Sequence, residues 1–452
     1  MTAIVTEAKR PVDLLALVRA NPERYPFLLK SVAHGHYDIL FACSGDCLVL
    51  QADGVLQHPA GLSVTSADFL DGLDAWWQQL AIESAAGDLP FTGGWFLYLG
   101  YELAGQIEPT LSLAHADPDL PVAFAMRCAT AVVRDRDRGR VYIVGEPGSE
   151  ADMAAVQADI EGLDKTGTPV RQDIRARQID EQPERDYLDA VRRIKDYIVE
   201  GDVFQVNLSR AWNLQLAAIP NVQDLYESLC YHNPAPFSGL VLWQDAAIIS
   251  SSPERLVSVR DGLVETRPIA GTRPRSASAR EDEAYSEELL AHPKERAEHI
   301  MLIDLERNDL GRLCVPGTIE VNEFMVLESY AHVHHIVSNV RGRLRADIKP
   351  GAVLRAVFPG GTITGCPKVR CMEIIAELEP APRGAYTGSM GYLNRDGSMD
   401  MNILIRTMVS RGDRLMLRAG AGIVADSVPE AELAETRAKA RGLLRSLGVG
   451  SA

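Results

Sequence analysis

Two pairs of glutamates stand three residues apart in segments whose composition predicts helices. Glu295 and Glu298 lie in KERAEHIMLIDLERNDLG, and Glu432 and Glu435 lie in AELAETRAKARGLLRSLG. Residues at this spacing share one helix face, so convergence of the two faces would gather four carboxylates around one point. Their repulsion would require a cation, and oxygen ligands without His or Cys favour a hard ion such as Mg²⁺. The alternative is an exposed ion pair, because Lys439 follows Glu435 at i+4.

Two glycine-rich segments could bind an anion through backbone N–H groups. They are FPGGTITGCPK at 358–368, with the hydroxyls of Thr362 and Thr364, and AGAGIV at 419–424. Glycine allows the backbone to approach an oxyanion closely. The first segment lacks the Lys-Ser/Thr of a phosphate-binding P-loop, and ordinary turns are the alternative for both. With Arg406 as a fork for a carboxylate, the segments indicate an anionic small-molecule substrate.

Several single residues could handle protons or a metal. Glu254 follows an apolar run in SSSPERL and would act as a general acid if buried, whereas an exposed turn residue is the alternative. In HVHHIVS, strand alternation places His332 and His334 on one face and His335 on the other. The first pair would suit a two-His metal site, and structural histidines are the alternative. The spacing leaves both interpretations open.

The size and charge of the chain limit its class. With 452 residues it exceeds the ~250–300 at which single cores stop growing, so one very large or two interleaved domains are expected. The net charge of −16 argues against nucleic-acid and anionic-membrane partners, which bind clustered Lys and Arg. No apolar window approaches a membrane span and the N-terminus lacks a signal-peptide pattern, so a cytoplasmic location is predicted.

The cysteines favour a reducing compartment. There are seven, an odd number without metal-site spacing, which argues against a disulfide framework. The closest pairs are Cys43 with Cys47 and Cys366 with Cys371, and neither has a His or a further Cys at zinc-finger spacing. We predict packing thiols at these positions.

The elements that must position these residues are mixed strands and helices. Short apolar runs punctuated by Gly and Pro predict an antiparallel sheet with few helices in residues 1–165. A polar stretch predicts a connector at 166–183. Helical periodicity then runs from Tyr187 to Ile198, with Gly201 as the C-terminal cap. This mixture without a regular βαβ order favours the α+β class.

Further strands and two more helices follow this first helix. The runs VFQVNLSRAWNL, SGLVLW, AAIISSS and RLVSVRDGLVE predict strands, the last with a turn at Asp261 and Gly262. One helix is expected to begin at about Pro293. The other is expected to open at Ser427, which fits an S-x-x-E capping box with Glu430.

The order of the blocks from Asp202 to the C-terminus resembles the chorismate-utilising enzymes, a family that includes the large subunits of aminodeoxychorismate synthase and anthranilate synthase. The matching blocks are GDVFQVNLS, SSSPERL, PIAGTRPR, KERAEHIMLIDLERNDLGR, HVHHIVS, FPGGTITGCPKVRCMEIIAELEP, MDMNILIRT and AGAGIVADSVPEAELAET. The resemblance implies an α+β fold of two orthogonally packed antiparallel β-sheets with helices on their outer faces. Residues 1–165, where the similarity is looser, would share in the sheets, and residues 184–452 would form the chorismate-binding catalytic domain.

The resemblance also implies roles for individual residues. Glu298 and Glu435 match the family's Mg²⁺ ligands, with Glu295 and Glu432 as supporting acidic residues. The metal would bridge to the ring carboxylate of chorismate and neutralise it. The implied substrate-binding residues are Thr362, Tyr386, Arg406, Gly420, Ala421, Gly422 and Lys439. The implied catalytic residues are Glu254, which protonates the departing C4 hydroxyl, His335 in later proton handling, Thr272 beside the ring, and Gln205.

Residues that distinguish members of this family point to amination. Gln205 stands where water-adding members carry a Lys base, and a neutral amide cannot activate water, whereas ammonia is already a nucleophile. Asn207, NPAPF at 233–237, SSPER and the His-His doublet resemble the aminodeoxychorismate branch. Ala270 in PIAGTRPR resembles the anthranilate branch, because the other branch carries a nucleophilic Lys there. We therefore expect aminodeoxychorismate synthesis without that lysine, with ammonia adding at C2 or substituting C4 directly. Anthranilate synthesis and a non-catalytic effector-binding homologue are the alternatives.

The expected substrates are chorismate and ammonia, and the ammonia requires a source. The sequence contains no Gly-x-Cys-x-Gly turn of a glutamine amidotransferase, so a separate amidotransferase subunit is the expected partner. YPFLLKS at 25–31 resembles the tryptophan-binding segment of anthranilate synthases, but Lys30 replaces the usual Glu. We predict weak or absent tryptophan binding.

Overall fold

Two antiparallel sheets form the centre of the molecule. The computed structural model describes residues 3–32, 36–62, 66–83, 87–114, 116, 120–163, 172, 174–276, 278–329 and 333–449. The strands in these ranges are β1 (Ile4–Glu7), β2 (Phe27–Lys30), β3 (Tyr37–Ala42), β4 (Cys47–Leu50), β5 (Leu56–Gln57), β6 (Gly94–Leu99), β7 (Ala123–Cys128), β8 (Thr130–Asp135), β9 (Arg140–Gly145), β10 (Ala176–Glu181), β11 (Gln205–Leu216), β12 (Phe237–Trp243), β13 (Ala246–Ser252), β14 (Arg255–Arg260), β15 (Leu263–Thr266), β16 (Ile269–Pro274), β17 (Glu320–Ser329), β18 (Val333–Arg343), β19 (Gly365–Cys366), β20 (Ser389–Asn394), β21 (Met399–Asn402), β22 (Thr407–Arg411) and β23 (Arg414–Ile423).

Helices cover the outer faces of both sheets. They are α1 (Leu14–Ala20), α2 (Phe69–Leu80), α3 (Ala104–Ile107), α4 (Glu150–Gly162), α5 (Glu184–Glu200), α6 (Val222–His232), α7 (Ala279–Ala291), α8 (Pro293–Gly311), α9 (Pro350–Val357), α10 (Lys368–Leu378) and α11 (Pro429–Arg445). Within the described residues, none of these helices is long and apolar enough to cross a membrane. The predicted α+β class, with two antiparallel sheets and flanking helices, is confirmed.

Both sheets combine strands from the two halves of the chain. The first sheet has the order β1-β9-β8-β3-β2-β12-β13-β22-β23-β11-β10, with β19 also paired to β11. The second has the order β16-β18-β15-β14-β21-β20-β6-β7-β4-β5, with β17 also paired to β18. The halves meet where β2 pairs with β12 and where β6 pairs with β20. The described strands before residue 146 therefore do not form a separate sheet, but continue both sheets built from the later strands.

Apolar side chains form three layers around these sheets. Between the sheets, Phe27 stacks on Phe96 at 4.2 Å between ring centroids and on Phe124 at 5.5 Å. Outside the first sheet, a second cluster includes buried residues of α1, α4, α6 and α11, and outside the second sheet a third includes residues of α2, α8 and α9. Burial of these apolar surfaces is the main stabilising contribution.

Local signals in the sequence located several elements correctly. The predicted helix from Tyr187 is α5, and Gly201 ends it with φ of 85°, a left-handed conformation that glycine adopts without strain. The turn between β14 and β15 has positive φ at both Asp261 and Gly262, as a two-residue hairpin turn requires. The four predicted strand runs correspond to β11, β12, β13 and the pair β14 and β15.

The structure refines one local expectation and corrects two. In the described part of residues 1–165 four α-helices accompany the strands, and the last of them, α4, lies in the polar segment and buries Met153, Val156 and Ile160. The connector at 166–183 includes β10, which pairs with β11, while 164–171 and 173 lie outside the described residues. Ser427 does not cap α11, since its Oγ accepts a hydrogen bond from Val424 N and the helix begins at Pro429.

Candidate active site

Most of the predicted site residues line a single cavity of about 660 Å³. Its walls come from β11, β16, β18 and β23, from α8 and α11, and from the loops beside them. We call it the site cavity. The predicted residues on its walls are Gln205, Glu254, Glu295, Glu298, His335, Thr362, Tyr386, Arg406, Gly420, Gly422, Glu432, Glu435 and Lys439.

Two predicted residues do not follow this pattern. Ala421 pairs with Leu208, between the cavity-facing glycines on β23, so its side chain points to the opposite face and packs in an apolar cluster. The side chain of Ala421 therefore does not line the cavity, and its implied role in substrate binding stays a prediction. Thr272 pairs with His335 across β16 and β18, and only its backbone is described.

Glycines on β23 leave space for polar side chains of the cavity. A Cβ at Gly420 would lie 2.7 Å from Tyr386 Oη and 2.9 Å from Asn207 Oδ1. A Cβ at Gly422 would lie 2.1 Å from Gln205 Nε2. The alternation of strand side chains thus accounts for the A-G-A-G pattern: the glycines face the polar wall and the alanines face the other side.

The glycines of residues 358–368 make close contacts with neighbouring parts of the protein. A Cβ at Gly361 would collide with Leu305 at 2.3 Å, and one at Gly365 would lie 2.1 Å from the carbonyl oxygen of Gln205. The Thr364 hydroxyl donates to Gly360 O at 2.9 Å, which turns it away from the cavity. These glycines allow close packing of the loop. Thr362 is the residue of this loop whose side chain carries a hydroxyl on the cavity wall.

The four glutamates of α8 and α11 share the site cavity. Gln205 Nε2 donates to Glu298 Oε1 at 2.8 Å, Arg273 Nη1 lies 3.3 Å from Glu295 Oε1, and Lys439 Nζ lies 2.7 Å from Glu435 Oε1. Burial raises the pKa of Glu298 above its ordinary value. The i+4 ion pair of Lys439 with Glu435 is therefore present, and all four glutamates line the same cavity.

The carboxylate oxygens of these glutamates would suit a Mg²⁺ ion that takes its remaining ligands from water and substrate. All the candidate ligands are carboxylate oxygens, which Mg²⁺ prefers. Among the described residues, no group of three or more His, Cys, Asp or Glu side chains is arranged to hold a metal by itself. Two carboxylates with water and substrate oxygens are the usual arrangement for this ion.

Glu254 is the buried acid of the cavity. It is only 5% exposed, and its Oε1 atom has no hydrogen-bond partner among the described residues. Its backbone is fixed, because its N–H donates to Ser252 Oγ at 3.2 Å and its carbonyl accepts from Ile403 N at 3.0 Å. Burial raises the pKa of Glu254 to about 7, although Thr362, Lys439 and Arg406 act in the opposite direction. At neutral pH this carboxyl can therefore give up a proton to a leaving group.

His335 faces the cavity in its neutral form. Burial lowers the pKa of His335 to about 4, and Nδ1 lies 3.2 Å from Gly271 O, so Nδ1 carries the proton. Gly271 adopts φ of 70° at an irregularity between Ala270 and Thr272, which brings its carbonyl to the ring. His334 faces the other way and bonds Ser329 and Asp282 with its two ring nitrogens.

Cationic and hydroxyl side chains also line the site cavity. Arg406 has φ of 53°, a left-handed conformation that costs a non-glycine residue roughly 1–3 kcal/mol and that is typical of functional sites. Lys439 Nζ donates to Gly420 O at 3.0 Å, and burial raises the pKa of Tyr386 to about 12. Two cations and a neutral phenol suit a substrate that carries carboxylates.

A buried network of charged residues lies beneath this wall and was not predicted from the sequence. Arg418 lines the cavity and donates to Glu379 Oε2 at 2.7 Å, and Arg383 donates to Glu379 Oε1 at 2.6 Å and to Asn207 O at 2.8 Å. All three charged groups of this network are buried. The available signal was a charge inside an apolar strand, Arg418 in LMLRAGAGI, which requires a buried partner.

A second cavity of about 540 Å³ lies between the two sheets, next to the site cavity. Pro236, Pro253 and Ile269 line both cavities. Lys30, the residue that departs from the tryptophan-binding pattern, is on the wall of the second cavity.

Comparisons with known proteins agree with this geometry. The family model for chorismate binding enzymes matches residues 25–445. Aminodeoxychorismate synthase component 1 of Bacillus subtilis is 38% identical, over 95% of this chain and 93% of that protein. Anthranilate synthase component 1 of Pseudomonas putida is 41% identical, over 97% of this chain and 93% of that protein.

Solved structures show the same fold. Anthranilate synthase component I from Streptococcus pneumoniae has a TM-score of 0.81 at 30% identity, covering 91% of this chain and 92% of that one. The menaquinone-specific isochorismate synthase of Escherichia coli has a TM-score of 0.75 at 19% identity, covering 98% and 94%, which is a likeness of fold alone. Because the family model spans most of the chain and relatives at this identity cover nearly all of it, the chain belongs to the chorismate-binding enzymes.

Proposed function

We propose that the protein is component I of an aminodeoxychorismate synthase, which converts chorismate and ammonia into 4-amino-4-deoxychorismate. A separate lyase would then release 4-aminobenzoate for folate biosynthesis. The likeness to the Bacillus subtilis enzyme of that name over 95% of the chain supports the proposal. A cytoplasmic location is part of it, in keeping with seven free cysteines.

The observation that carries the proposal is the pair of amides on β11. Gln205 and Asn207 both line the site cavity, and Gln205 is fixed by its hydrogen bond to Glu298. Members that add water would need a base at the position of Gln205, and an amide has no basic nitrogen. Ammonia is already a nucleophile, so a wall without a base favours amination over hydration. Asn207, which resembles the aminodeoxychorismate branch, lies beside it on the same strand face.

The other cavity residues supply binding and proton transfer. Arg406, Tyr386 and Lys439 would hold the carboxylates of chorismate. Glu254 would protonate the C4 oxygen as the C4–O bond breaks, so that the hydroxyl leaves as water. A C–N bond forms with ammonia, which loses a proton to balance the one that Glu254 gave. His335, whose Nε2 atom carries no proton, would take part in a later proton transfer.

Glu298 and Glu435 would hold Mg²⁺, supported by Glu295 and Glu432. When bound, the metal neutralises the ring carboxylate of the substrate. The protein residues then determine where the ring lies relative to Glu254 and Gln205.

The proposal includes a mechanism without a lysine nucleophile. Ala270 is 5% exposed and lines the site cavity, so the position where related enzymes carry the lysine offers no amine. One ammonia would therefore add at C2 as the C4 hydroxyl leaves and then depart when a second ammonia adds at C4, or a single ammonia would substitute C4 directly. Mass spectrometry of the enzyme quenched during turnover tests this, because a chorismate-derived adduct on any lysine would contradict it. The Ala270→Lys variant is the matched comparison, in which such an adduct could form.

A direct assay tests the product. Purified protein is incubated with chorismate, Mg²⁺ and ammonium, and the products are separated before and after addition of the lyase. We expect 4-aminobenzoate only after the lyase is added. Release of 2-aminobenzoate without the lyase would establish anthranilate synthesis. No consumption of chorismate with any nitrogen source would instead favour a non-catalytic homologue.

Anthranilate synthesis is the second candidate, and a specific observation favours it. Ala270 resembles the anthranilate branch, and the Pseudomonas putida relative of that name is 41% identical. In either case the nitrogen would come from a separate glutamine amidotransferase, since both of these relatives are named as component 1.

A further inference from the structure

Two cysteines far from the site cavity lie against each other. The Sγ atoms of Cys43 and Cys128 are 3.2 Å apart, although the residues are 85 positions apart in the chain. Cys43 directly follows β3 in the first sheet, and Cys128 ends β7 in the second. The sequence had grouped Cys43 with Cys47, so the close partner of Cys43 is not the one that its spacing indicated.

We propose that Cys43 and Cys128 are a thiol pair that forms an intramolecular disulfide when a small disulfide oxidises the protein, and that this bond joins the two sheets. The reaction is reversible by thiols, so the pair is a redox modification site outside the chorismate cavity. It does not depend on which amination reaction the enzyme performs.

The backbone around the two thiols supports the bond. Arg127 N donates to Asp46 O at 2.9 Å, and Ser44 N approaches Arg127 O at 3.5 Å, so the segments that carry the thiols run side by side. A disulfide needs its sulfurs at about 2.05 Å, which requires a movement of roughly 1 Å along the side chains. The neighbouring backbones need not separate for this.

Access to the two thiols differs. Cys43 is half-buried, whereas Cys128 is fully buried in the apolar layer between the sheets. The small disulfide therefore reacts first with the Cys43 thiolate: one S–S bond breaks, a mixed disulfide forms and one small thiol leaves. The Cys128 thiol then attacks the sulfur of Cys43, a second small thiol leaves with the proton, and two electrons in total pass to the small disulfide.

The rate of this reaction should rise with pH. Burial raises the pKa of the Cys43 thiol well above its ordinary value, with Cys128 acting in the same direction, so the thiolate is scarce at neutral pH. The pair therefore exchanges slowly at neutral pH and responds to sustained oxidation. The second step is fast by comparison, because the attacking sulfur is already in contact.

The test uses the full chain with 2-hydroxyethyl disulfide at pH 7 and pH 9, followed by intact mass and non-reducing peptide mapping. We expect a loss of about 2 Da without an adduct, a Cys43–Cys128 peptide, faster formation at pH 9, and a midpoint of thermal unfolding raised by several degrees. Dithiothreitol should reverse all of these changes. Chorismate consumption, if the enzyme shows it, should change by less than about twofold because neither cysteine lines the site cavity.

Variants identify the order of the two steps. Cys128→Ser should keep a small-thiol adduct on Cys43, and in Cys43→Ser the Cys128 thiol should carry neither an adduct nor a disulfide bond. Cys230→Ala, which changes a buried cysteine on α6, should behave as the unsubstituted protein does. Retention of all seven thiols after oxidation, a cross-link through Cys47, or an equal loss of thiols in Cys43→Ser would overturn the proposal.

Discussion

The two neighbouring cavities have similar volumes, about 660 and 540 Å³, but their charged side chains are in different electrostatic environments. On the wall of the second cavity, two arginines form ion pairs: Arg255 binds Asp400 through two hydrogen bonds of 2.8 and 3.0 Å, and Arg267 binds Glu328. In the site cavity, burial shifts the pKa of Glu254 upward and that of His335 downward. Titratable side chains whose pKa is shifted far from its ordinary value are typical of a cavity that can perform proton transfer.

The comparison also separates residues that share one wall. Pro253 and Ile269 line both cavities, and the residues that follow them, Glu254 and Ala270, line the site cavity alone. Because successive side chains along an extended backbone point in opposite directions, Glu254 and Ala270 lie in a different environment from the residues that precede them. Substitutions on either side of this wall should have different consequences.

The largest expected difference lies between Glu254→Gln and Asp400→Asn. The first removes the buried acid, and kcat should fall by about 10²–10⁴-fold. The second leaves Arg255 without its partner, and it should reduce the free energy of unfolding by about 1–3 kcal/mol while leaving kcat nearly unchanged. Steady-state kinetics and denaturant unfolding of both variants measure this. An equal loss of kcat in the two variants would show that the division between the cavities is wrong.

A second large effect is expected from Glu298→Gln. Loss of one proposed Mg²⁺ ligand should raise the Mg²⁺ concentration needed for half-maximal activity by about 10–100-fold. Calorimetric titration with Mg²⁺ should show the same weakening without substrate turnover. Glu430→Gln is the matched control, because Glu430 is an exposed glutamate of α11 outside the cavity. If Mg²⁺ dependence is the same in both variants, Glu298 is not a ligand.

The pH dependence should follow Glu254. Since the acid must be protonated and its pKa is about 7, kcat at saturating ammonia should fall about tenfold per pH unit above that value. Its folded pKa is raised above the ordinary 4.5, so the same group should also lower stability as pH rises from about 4.5 to 7. Glu254→Gln should lose both dependences. A rate profile that is flat between pH 6 and pH 8 contradicts the assignment.

The smallest effect is expected in the second cavity. Tryptophan should bind weakly or not at all, because Lys30 replaces the Glu of the resembling segment. Calorimetry with the unsubstituted protein and with Lys30→Glu compares the two cases. Micromolar affinity in the unsubstituted protein would show that this expectation is wrong.

Local patterns predicted the elements, and a family resemblance predicted the site. The periodicity from Tyr187 to Ile198 gave α5, and the Asp261-Gly262 pair gave the hairpin turn, because both depend on neighbours in sequence. Ser427 misled, since its hydroxyl accepts from Val424 within a turn that no motif distinguishes from a cap. Convergence of α8 and α11 could not be derived from spacing, because it depends on how the sheets place the helices.

The partners within the ion network beneath the cavity could not be identified from the sequence either. Glu379, Arg383 and Arg418 come together from a helix end, a loop and a strand. Arg418 lies within an apolar strand run and therefore indicated a buried partner, but the sequence did not identify that partner as Glu379 or connect it to Arg383. Ala421 shows the reverse case: a residue within a correctly identified block faces away because strand side chains alternate.

The interleaving of the two halves has a consequence for synthesis of the chain on the ribosome. Leu28 of β2 pairs with Leu240, and Leu97 of β6 pairs with Gly391, so the strands made first must wait for partners made much later. Until then β2 and β6 present open edges to other nascent chains. We expect a fragment that ends near residue 165 to aggregate when expressed alone, and a chaperone that shields strand edges to matter more for this protein than its final stability indicates.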